Sequence, residues 1–205
     1  MECIERLKLT KTYQKINDEK VDKAAVLVPL CIHNNKLGLL YTLRSHKVST
    51  NRGQVSFPGG MMDKDDASLE ETALRETWEE LRIAENKIQV WGSGNWIKRK
   101  DVKVMPVLGF IGEVNPKNLE INKHEVEEAF VHPLEKLCDP ELCKYTQFRN
   151  SYTLPTYLGG YHKIWGLTAV ITHIVMNALT PLVYKHELKY IPPILKERKE
   201  DKGKS

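Results

Sequence analysis

The chain has 205 residues, of which 41% are hydrophobic and 28% are charged, and this length suits one domain with a full-sized core. The net charge of +4 is mild, and acids interrupt the basic residues near the C-terminus, so no nucleic-acid partner is expected. The four cysteines form no CxxC pair and no histidine lies at zinc-finger spacing, which argues against disulfides and favours a reducing compartment.

The N-terminus lacks the apolar core of a secretory signal, so we expect an intracellular protein. Residues 164–183 are the only candidate for a membrane span, but they include His173 and Asn177, and we expect a buried helix instead of a span. A histidine on an apolar helix stretch is usually a hydrogen-bonded core residue, so we assign no function to His173.

The hydrophobic pattern predicts a lead-in, one domain and a tail, at residues 1–22, 23–183 and 184–205. The lead-in is polar and partly helical, and the tail is basic and expected to be disordered. Strands on both sides of one helix, followed by a terminal helix, indicate an α/β fold with a mixed sheet between helices. In chain order, the predicted elements are strands at Ala24–Ile32 and Leu37–Leu43 joined by a turn at 33–36, a short strand at Gln54–Phe57 that Pro58-Gly59-Gly60 breaks, a helix at Leu69–Arg82, strands at Ile88–Trp96, Lys103–Val114 and Glu125–Val131, a short helix at Pro133–Leu137, a strand at Ser151–Leu154 and a helix at Ile164–Leu179.

The helix at Leu69–Arg82 contains strong helix formers throughout, and Asp65, Asp66 or Ser68 is expected to cap its N-terminus. The four tryptophans of the chain are expected in the core or in a pocket. The packing side of this helix is predicted from its apolar spacing to consist of Ala73, Leu74, Thr77, Trp78 and Leu81.

Three carboxylates, Glu76, Glu79 and Glu80, lie at positions i, i+3 and i+4 of this helix and share one face. Like charges this close repel one another unless a cation lies between them, and Mg²⁺ prefers oxygen ligands. Arg75 can hold a carboxylate in place by a bidentate contact. An exposed glutamate-rich face is the alternative interpretation, but Gly59 and Gly60 allow a close backbone approach to the helix. We therefore predict that the three glutamates bind metal and that Arg75 supports them.

The segment from Gly59 to Ile83 resembles the Nudix box, in which a glycine and a spacer precede Arg-Glu-x-x-Glu-Glu on a loop–helix–loop. Two features depart from the box. Gly60 aligns only with one inserted residue, which places Asp66 at the position of the early box glutamate. Arg82 stands where the box usually has glycine, and a left-handed conformation there costs roughly 1 kcal/mol for a residue other than glycine.

The preceding residues resemble the coenzyme A diphosphatase subfamily of Nudix hydrolases, which shares the one-residue insertion. Leu-Arg-Ser at 43–45 and GQVSFPGG at 53–60 match its motif. Arg44 is expected to bind phosphate, because its guanidinium offers a planar fork for phosphate oxygens. Ser49 replaces the second arginine of the motif, and the nearby Arg52 can substitute for it. The predicted substrate-binding residues are Arg44, Arg52, Gly59 and Gly60.

Residues 152–155 and 165–169 resemble the mitochondrial branch of that subfamily. The resemblance implies a Nudix α/β/α sandwich, Mg²⁺ or Mn²⁺ as cofactor, and a location in mitochondria or, alternatively, the cytosol. It implies hydrolysis of the pyrophosphate bond of coenzyme A or its derivatives to 4′-phosphopantetheine and adenosine 3′,5′-bisphosphate. Nudix enzymes often carry a further glutamate after the sheet core, and Glu125 matches that place, so Glu79 and Glu125 are the predicted catalytic residues.

Two other functions are left open by the sequence. The missing second arginine allows another nucleoside diphosphate conjugate as substrate, such as NADH or ADP-ribose. A Nudix domain that binds without turnover is the second alternative. Degenerate domains of that kind usually lose box glutamates, whereas Glu76, Glu79 and Glu80 are all present here.

Overall fold

The computed structural model describes residues 2–9, 21–99, 102–147 and 153–187. Four helices and ten strands lie within these ranges. The helices are α1 (Glu2–Leu9), α2 (Leu69–Leu81), α3 (Leu134–Leu137) and α4 (Gly166–Leu179). The strands are β1 (Asp22–His33), β2 (Lys36–Arg44), β3 (Val55–Ser56), β4 (Gly59–Met61), β5 (Gln89–Ser93), β6 (Ile97–Arg99), β7 (Val102–Glu113), β8 (Val126–Pro133), β9 (Cys143–Gln147) and β10 (Thr153–Tyr157).

Eight strands form one mixed sheet whose main path runs β3-β2-β1-β7-β5. β1 and β7 pair in parallel, which requires a crossover connection between them, and α2 lies in that crossover. The remaining pairs are antiparallel: β4 adds to β1, β6 to β7 and β8 to β2. β9 and β10 form a separate hairpin.

Helices cover both faces of the sheet, and alternation along β1 shows how the two cores are divided. Ala25 and Leu27 belong to the core that contains Ala73 and Leu81 of α2. Ala24 and Val28 point the other way, because successive strand residues alternate between faces. On that second face the sheet packs against apolar residues of α1 and α4. The predicted α/β/α sandwich with a mixed sheet is confirmed.

Most predicted elements are present, and three strands were not expected. β3 ends before Pro58, as the predicted break requires, but Gly59 and Gly60 then start β4, which pairs with β1 and was not expected. Short strands without alternating hydrophobicity, such as β4 and β6, give no sequence signal. β9 was missed as well, and of the predicted strand at Ser151–Leu154 the first two residues lie outside the described ranges.

α4 is a 14-residue helix, and its polar residues have hydrogen-bond partners. Within the described ranges, no helix is long and apolar enough to cross a membrane. The His173 ring nitrogens contact the Tyr184 hydroxyl at 2.8 Å and the Asn177 amide at 3.2 Å, as expected of a core histidine. Burial lowers the His173 pKa to about 4.

The ends of the chain are described in part. Ile4 and Leu7 of α1 pack into the core shared with α4, and the Arg6 side chain donates to the Ala178 carbonyl at 3.0 Å. Tyr184, the first residue of the predicted tail, is buried. The rest of that tail from residue 188 lies outside the described ranges.

Candidate active site

The Pro-Gly-Gly loop lies where β1 and β2 separate, and its two glycines are required by close contacts. A Cβ on Gly59 would lie 2.3 Å from the Ala25 carbonyl oxygen, and its φ of +151° is one that other residues rarely adopt. A Cβ on Gly60 would lie 2.4 Å from Glu76 Oε1. The loop backbone therefore lies directly against the carboxylate face of α2.

α2 begins at a defined cap. The Ser68 hydroxyl accepts from the Glu71 backbone N–H at 3.1 Å, and Glu71 in turn accepts from the Ala67 N–H at 2.6 Å. Of the three proposed capping residues, Ser68 is the one used. This reciprocal arrangement fixes the start of the helix and therefore the rotation of its carboxylate face.

α2 ends at Arg82 in the left-handed conformation, with φ 54° and ψ 28°, as the box alignment predicts. Its guanidinium lies 5.4 Å from the centre of the Trp78 ring, a cation–π contact that offsets part of the backbone cost. The prediction that Trp78 packs in the core is wrong, because the side chain is 47% exposed and supports the helix end instead. Trp91 and Trp165 are also exposed, against the general expectation for the tryptophans.

The three box carboxylates differ in burial. Glu80 is 2% exposed and its Oε2 atom has no hydrogen-bond partner among the described residues. The Glu76 side chain is mostly buried, whereas that of Glu79 is 45% exposed. Burial raises the pKa of Glu80 to about 8, and the nearby Glu76 and Glu125 carboxylates raise it further while Arg44 lowers it. Burial also raises the pKa of Glu76.

Arg75 connects the loop to the carboxylates. It forms a bidentate pair with Asp66, with Nε–Oδ1 and Nη2–Oδ2 distances of 2.9 and 3.0 Å. Its Nη1 donates to Glu76 at 3.0 Å and to Glu79 at 3.3 Å. One guanidinium therefore contacts two box carboxylates, and the supporting role of Arg75 remains a prediction.

Asp66 is a site residue to which the sequence interpretation gave no role beyond a possible cap. Besides Arg75, it accepts from the Thr72 hydroxyl at 2.8 Å and from the Asp63 N–H at 2.9 Å. The hydrogen bonds from Arg75 hold the Asp66 pKa well below its usual range, so it is a buried anion. Its alignment with the early box glutamate is the sequence feature from which this role could have been inferred.

Arg44 and Glu125 approach the carboxylates from the sheet. Arg44 ends β2, and its buried Nε has no hydrogen-bond partner among the described residues. Glu125 lies beside it, because the Ser45 N–H donates to the Glu125 carbonyl at 2.8 Å. Asn122 positions both acids: its side chain donates to Glu125 Oε1 at 3.0 Å, and its backbone N–H donates to the Glu80 carbonyl at 2.9 Å.

Arg52 is the predicted site residue that has no described contact with this cluster. Its side chain is exposed and donates to the Val48 carbonyl at 2.6 Å, within its own loop. The structure therefore brings together Arg44, Gly59, Gly60, Arg75, Glu76, Glu79, Glu80 and Glu125.

The chemistry of this cluster fits a hard divalent cation. As the side chains are placed, no group of three His, Cys, Asp or Glu residues in the described ranges is arranged to hold a metal ion, and Glu76 and Glu79 both contact Arg75. The buried oxygen of Glu80, which has no hydrogen-bond partner among the described residues, is nevertheless a candidate ligand atom for a cation. An all-oxygen set of carboxylates beside a glycine loop is the ligand type that Mg²⁺ and Mn²⁺ use.

Comparison with known proteins identifies the family. The NUDIX domain family matches residues 22–156. The mitochondrial coenzyme A diphosphatase NUDT8 of Mus musculus is 44% identical over 171 residues, which cover 80% of this chain and 81% of that protein. The Homo sapiens protein of the same name is 43% identical, covering 80% and 72%. Nudix hydrolase 3 of Caenorhabditis elegans is 34% identical, covering 84% and 80%.

A solved structure shows the same fold. The MutT/nudix family protein from Enterococcus faecalis superposes with a TM-score of 0.53 at 22% identity, covering 83% of this chain and 65% of that one. The matched family region contains the whole carboxylate helix and the loop before it. The chain therefore belongs to the Nudix hydrolase family and is a pyrophosphohydrolase.

Proposed function

We propose that the protein hydrolyses the pyrophosphate bond of coenzyme A or one of its derivatives. The observation that carries this proposal is the 44% identity, over four-fifths of both chains, to a relative named as a coenzyme A diphosphatase. The products would be 4′-phosphopantetheine and adenosine 3′,5′-bisphosphate. The substrate is then a small nucleotide diphosphate conjugate, with no nucleic acid involved.

Glu76, Glu79 and Glu80 are the residues that would hold the divalent cation, Mg²⁺ or Mn²⁺. Such an ion, when bound, neutralises diphosphate oxygens and makes water a better nucleophile. Arg75 keeps Glu76 and Glu79 in place, since its Nη1 lies 3.0 and 3.3 Å from their carboxylate oxygens. Asp66 holds the other edge of the same guanidinium, which restricts its rotation.

Arg44 is proposed to bind the diphosphate. Its buried Nε lacks a partner among the described residues, and its charge lies close enough to lower the pKa of Glu80. A guanidinium can donate two parallel hydrogen bonds to a phosphoryl group and stabilise charge as the bond breaks. Gly59 and Gly60 are proposed to contact the substrate through the backbone that they bring against α2, and Arg52 completes the proposed binding residues from the adjacent loop.

Glu125 is proposed to accept the proton of the attacking water, with Glu79 as the second catalytic carboxylate. The amide of Asn122 holds Glu125 Oε1 at 3.0 Å, so one oxygen is fixed while the other is available to accept a proton. The Glu125 carboxylate also raises the pKa of Glu80, and both residues contact Asn122, which supports a shared site. Positioning of the substrate and stabilisation of the charge that develops on the diphosphate would then supply most of the rate enhancement.

We place the protein in mitochondria, following the names of its two relatives from Mus musculus and Homo sapiens. We also propose residues 23–183 as the catalytic domain, with α1 of the lead-in and Tyr184 of the tail packed against its core. Fractionation of cells that express the chain with a C-terminal tag tests this location.

The substrate assignment is tested by incubating the chain with Mg²⁺ or Mn²⁺ and coenzyme A, NADH or ADP-ribose, and by separating the products chromatographically. We expect phosphopantetheine to form fastest and to disappear with a chelator. Turnover of NADH or ADP-ribose alone would contradict the coenzyme A assignment and retain the Nudix chemistry. Binding of all three without any product would favour the non-catalytic alternative.

A further inference from the structure

Asn122 forms a tight turn at the end of the connection between β7 and β8. Its Oδ1 accepts from the His124 N–H at 3.1 Å, and its carbonyl accepts from the Glu125 N–H at 3.0 Å. Asparagine is frequent in turns of this kind, because its side chain accepts a hydrogen bond from the backbone two residues later. These two contacts use the oxygen atoms of Asn122 and leave its side-chain Nδ2 and its backbone N–H for other partners.

Both of these donors contact acids of the candidate site. The side-chain Nδ2 donates to Glu125 Oε1 at 3.0 Å, and the backbone N–H donates to the Glu80 carbonyl at 2.9 Å. Glu80 lies in the last turn of α2, where the carbonyls have no partner within the helix. Asn122 therefore connects the end of the carboxylate helix to the side chain of Glu125.

The end of β2 holds the same turn through Ser45, which is 4% exposed. The Ser45 N–H donates to the Glu125 carbonyl at 2.8 Å, and its hydroxyl donates to the Lys123 carbonyl at 3.4 Å. The backbone of Glu125 is thus fixed from two sides, and its side-chain torsions remain to be set. Among the described residues, the Asn122 amide is the only hydrogen-bond donor to the Glu125 carboxylate.

We propose that Asn122 is a positioning residue, whose amide fixes the Glu125 carboxylate in the orientation that turnover requires. This inference rests on the proposed function, in which Glu125 accepts the proton of the attacking water. Holding one carboxylate oxygen in place directs the other to a defined position, which a freely rotating side chain would occupy only part of the time. A neutral amide suits this role, because a lysine or arginine here would make the carboxylate a weaker proton acceptor.

Asn122→Asp isolates the proposed contact. Aspartate has the shape of asparagine and forms the same turn, so the contacts with His124 and with the Glu80 carbonyl should persist. The donor to Glu125 Oε1 is lost, and two like charges face each other instead. We expect kcat to fall by about 10- to 100-fold, the usual effect of losing a hydrogen bond to a charged group. KM should stay within about twofold and Tm within about 3 °C of the unmodified chain.

Asn115→Asp is the matched control, because Asn115 forms the same turn at the start of the same connection. Its Oδ1 accepts from the Lys117 N–H at 3.2 Å, and its carbonyl accepts from the Asn118 N–H at 2.9 Å. Asn115 is exposed, and within the part of the chain that the structure describes it contacts no acid of the site. This variant should keep kcat within about twofold. Equal losses of kcat in both variants would assign the effect to the turn and overturn the proposal.

A double-mutant cycle with Glu125→Gln distinguishes positioning from a general structural effect. If Asn122 acts through Glu125, Asn122→Asp should lower kcat by less than about twofold in the Glu125→Gln background. A further loss of about tenfold in that background would show that the two residues act independently and overturn the proposal. Unchanged kcat of Asn122→Asp alone, while Glu125→Gln is impaired, would also overturn it and leave the proposed function intact.

Failure of the proposed function gives different results. Equal kcat of Glu125→Gln and the unmodified chain would show that Glu125 does not accept the proton, and the inference would fail with that role. The cycle is measured on whichever of coenzyme A, NADH and ADP-ribose the chain cleaves fastest. Faster cleavage of NADH or ADP-ribose would therefore contradict the substrate assignment, and the cycle on that compound would still decide the role of Asn122.

Discussion

At the scale of single residues, the site contains carboxylates whose pKa values are shifted in opposite directions by burial and by Arg75. Glu80 is nearly inaccessible to solvent and Glu76 is largely buried, while Asp66 is stabilised as an anion by Arg75. Clustered groups with shifted pKa values in opposite directions are typical of functional sites. The sequence shows the spacing of the three glutamates, which predicts that they share one helix face. Their unequal burial could not be predicted, because it depends on how α2 packs on β4.

Glu80→Gln should make the stability of the metal-free protein less dependent on pH. Burial raises the Glu80 pKa from 4.5 to about 8, so the folded state binds more protons than the unfolded state between these values. Stability therefore falls as pH rises across that window, and glutamine removes this contribution. We expect the variant to gain at least 3 °C in Tm at pH 8 and little at pH 4.5, at about 2–4 °C per kcal/mol.

Thermal melts in chelator at both pH values check this expectation, with Glu85→Gln as a control at a position outside the site. An equal Tm difference between Glu80→Gln and the unmodified chain at pH 4.5 and pH 8 would show that Glu80 ionises normally. The same variant should lose at least about 100-fold in kcat once metal is present, because one proposed ligand is neutral.

Asp66→Ala should destabilise the fold and the site together. It leaves the Arg75 guanidinium without its bidentate partner and the Thr72 hydroxyl without its acceptor, so the free energy of unfolding should drop by about 3 kcal/mol. Urea unfolding measures this loss. The neighbouring Asp65 is exposed and makes a suitable control, and Asp65→Ala should change stability by less than about 0.5 kcal/mol. Similar losses in both variants would remove the special role of Asp66.

At the scale of elements, α2 illustrates what a sequence pattern predicts and what it does not. Its bounds follow from local chemistry to within one residue, and its cap was narrowed to three candidates, of which Ser68 is used. Its left-handed end at Arg82 was expected from the family resemblance. The exposure of Trp78 could not be predicted, because its spacing along the helix is that of a core residue. Only the packing of α2 on the sheet shows that the indole lies at the surface. β4 was missed for the related reason that its pairing depends on β1 and not on its own residues.

Arg82→Gly should stabilise α2. Glycine removes a left-handed backbone cost of about 1 kcal/mol but also loses the cation–π contact with Trp78. The net gain in the free energy of unfolding should therefore be larger by about 0.5 kcal/mol in a Trp78→Ala background than in the unmodified chain. Urea titrations of the four proteins form a double-mutant cycle. A gain independent of Trp78 would show that the ring contact contributes nothing.

At the scale of the whole molecule, the sheet brings together residues that are far apart in the chain. Arg44 and Glu125 are 81 positions apart but meet because β8 pairs with β2, and β4 carries Gly60 under Glu76. The family resemblance identified these residues as candidates. Their spatial proximity could not be inferred from the sequence, because it depends on the strand pairing. Asn122 was not singled out, because its contacts with Glu125 and with the Glu80 carbonyl depend on how the chain folds between α2 and β8.

The central claim is that the box carboxylates of α2 act on a diphosphate substrate, and the most direct measurement is kcat of Glu79→Gln with coenzyme A and Mg²⁺. Glu79 is nearly half exposed, so the variant should keep the Tm of the unmodified chain. We expect kcat to fall by a factor on the order of 1,000 with 4′-phosphopantetheine still the product. Turnover equal to that of the unmodified chain would contradict the assignment of this helix as the catalytic centre.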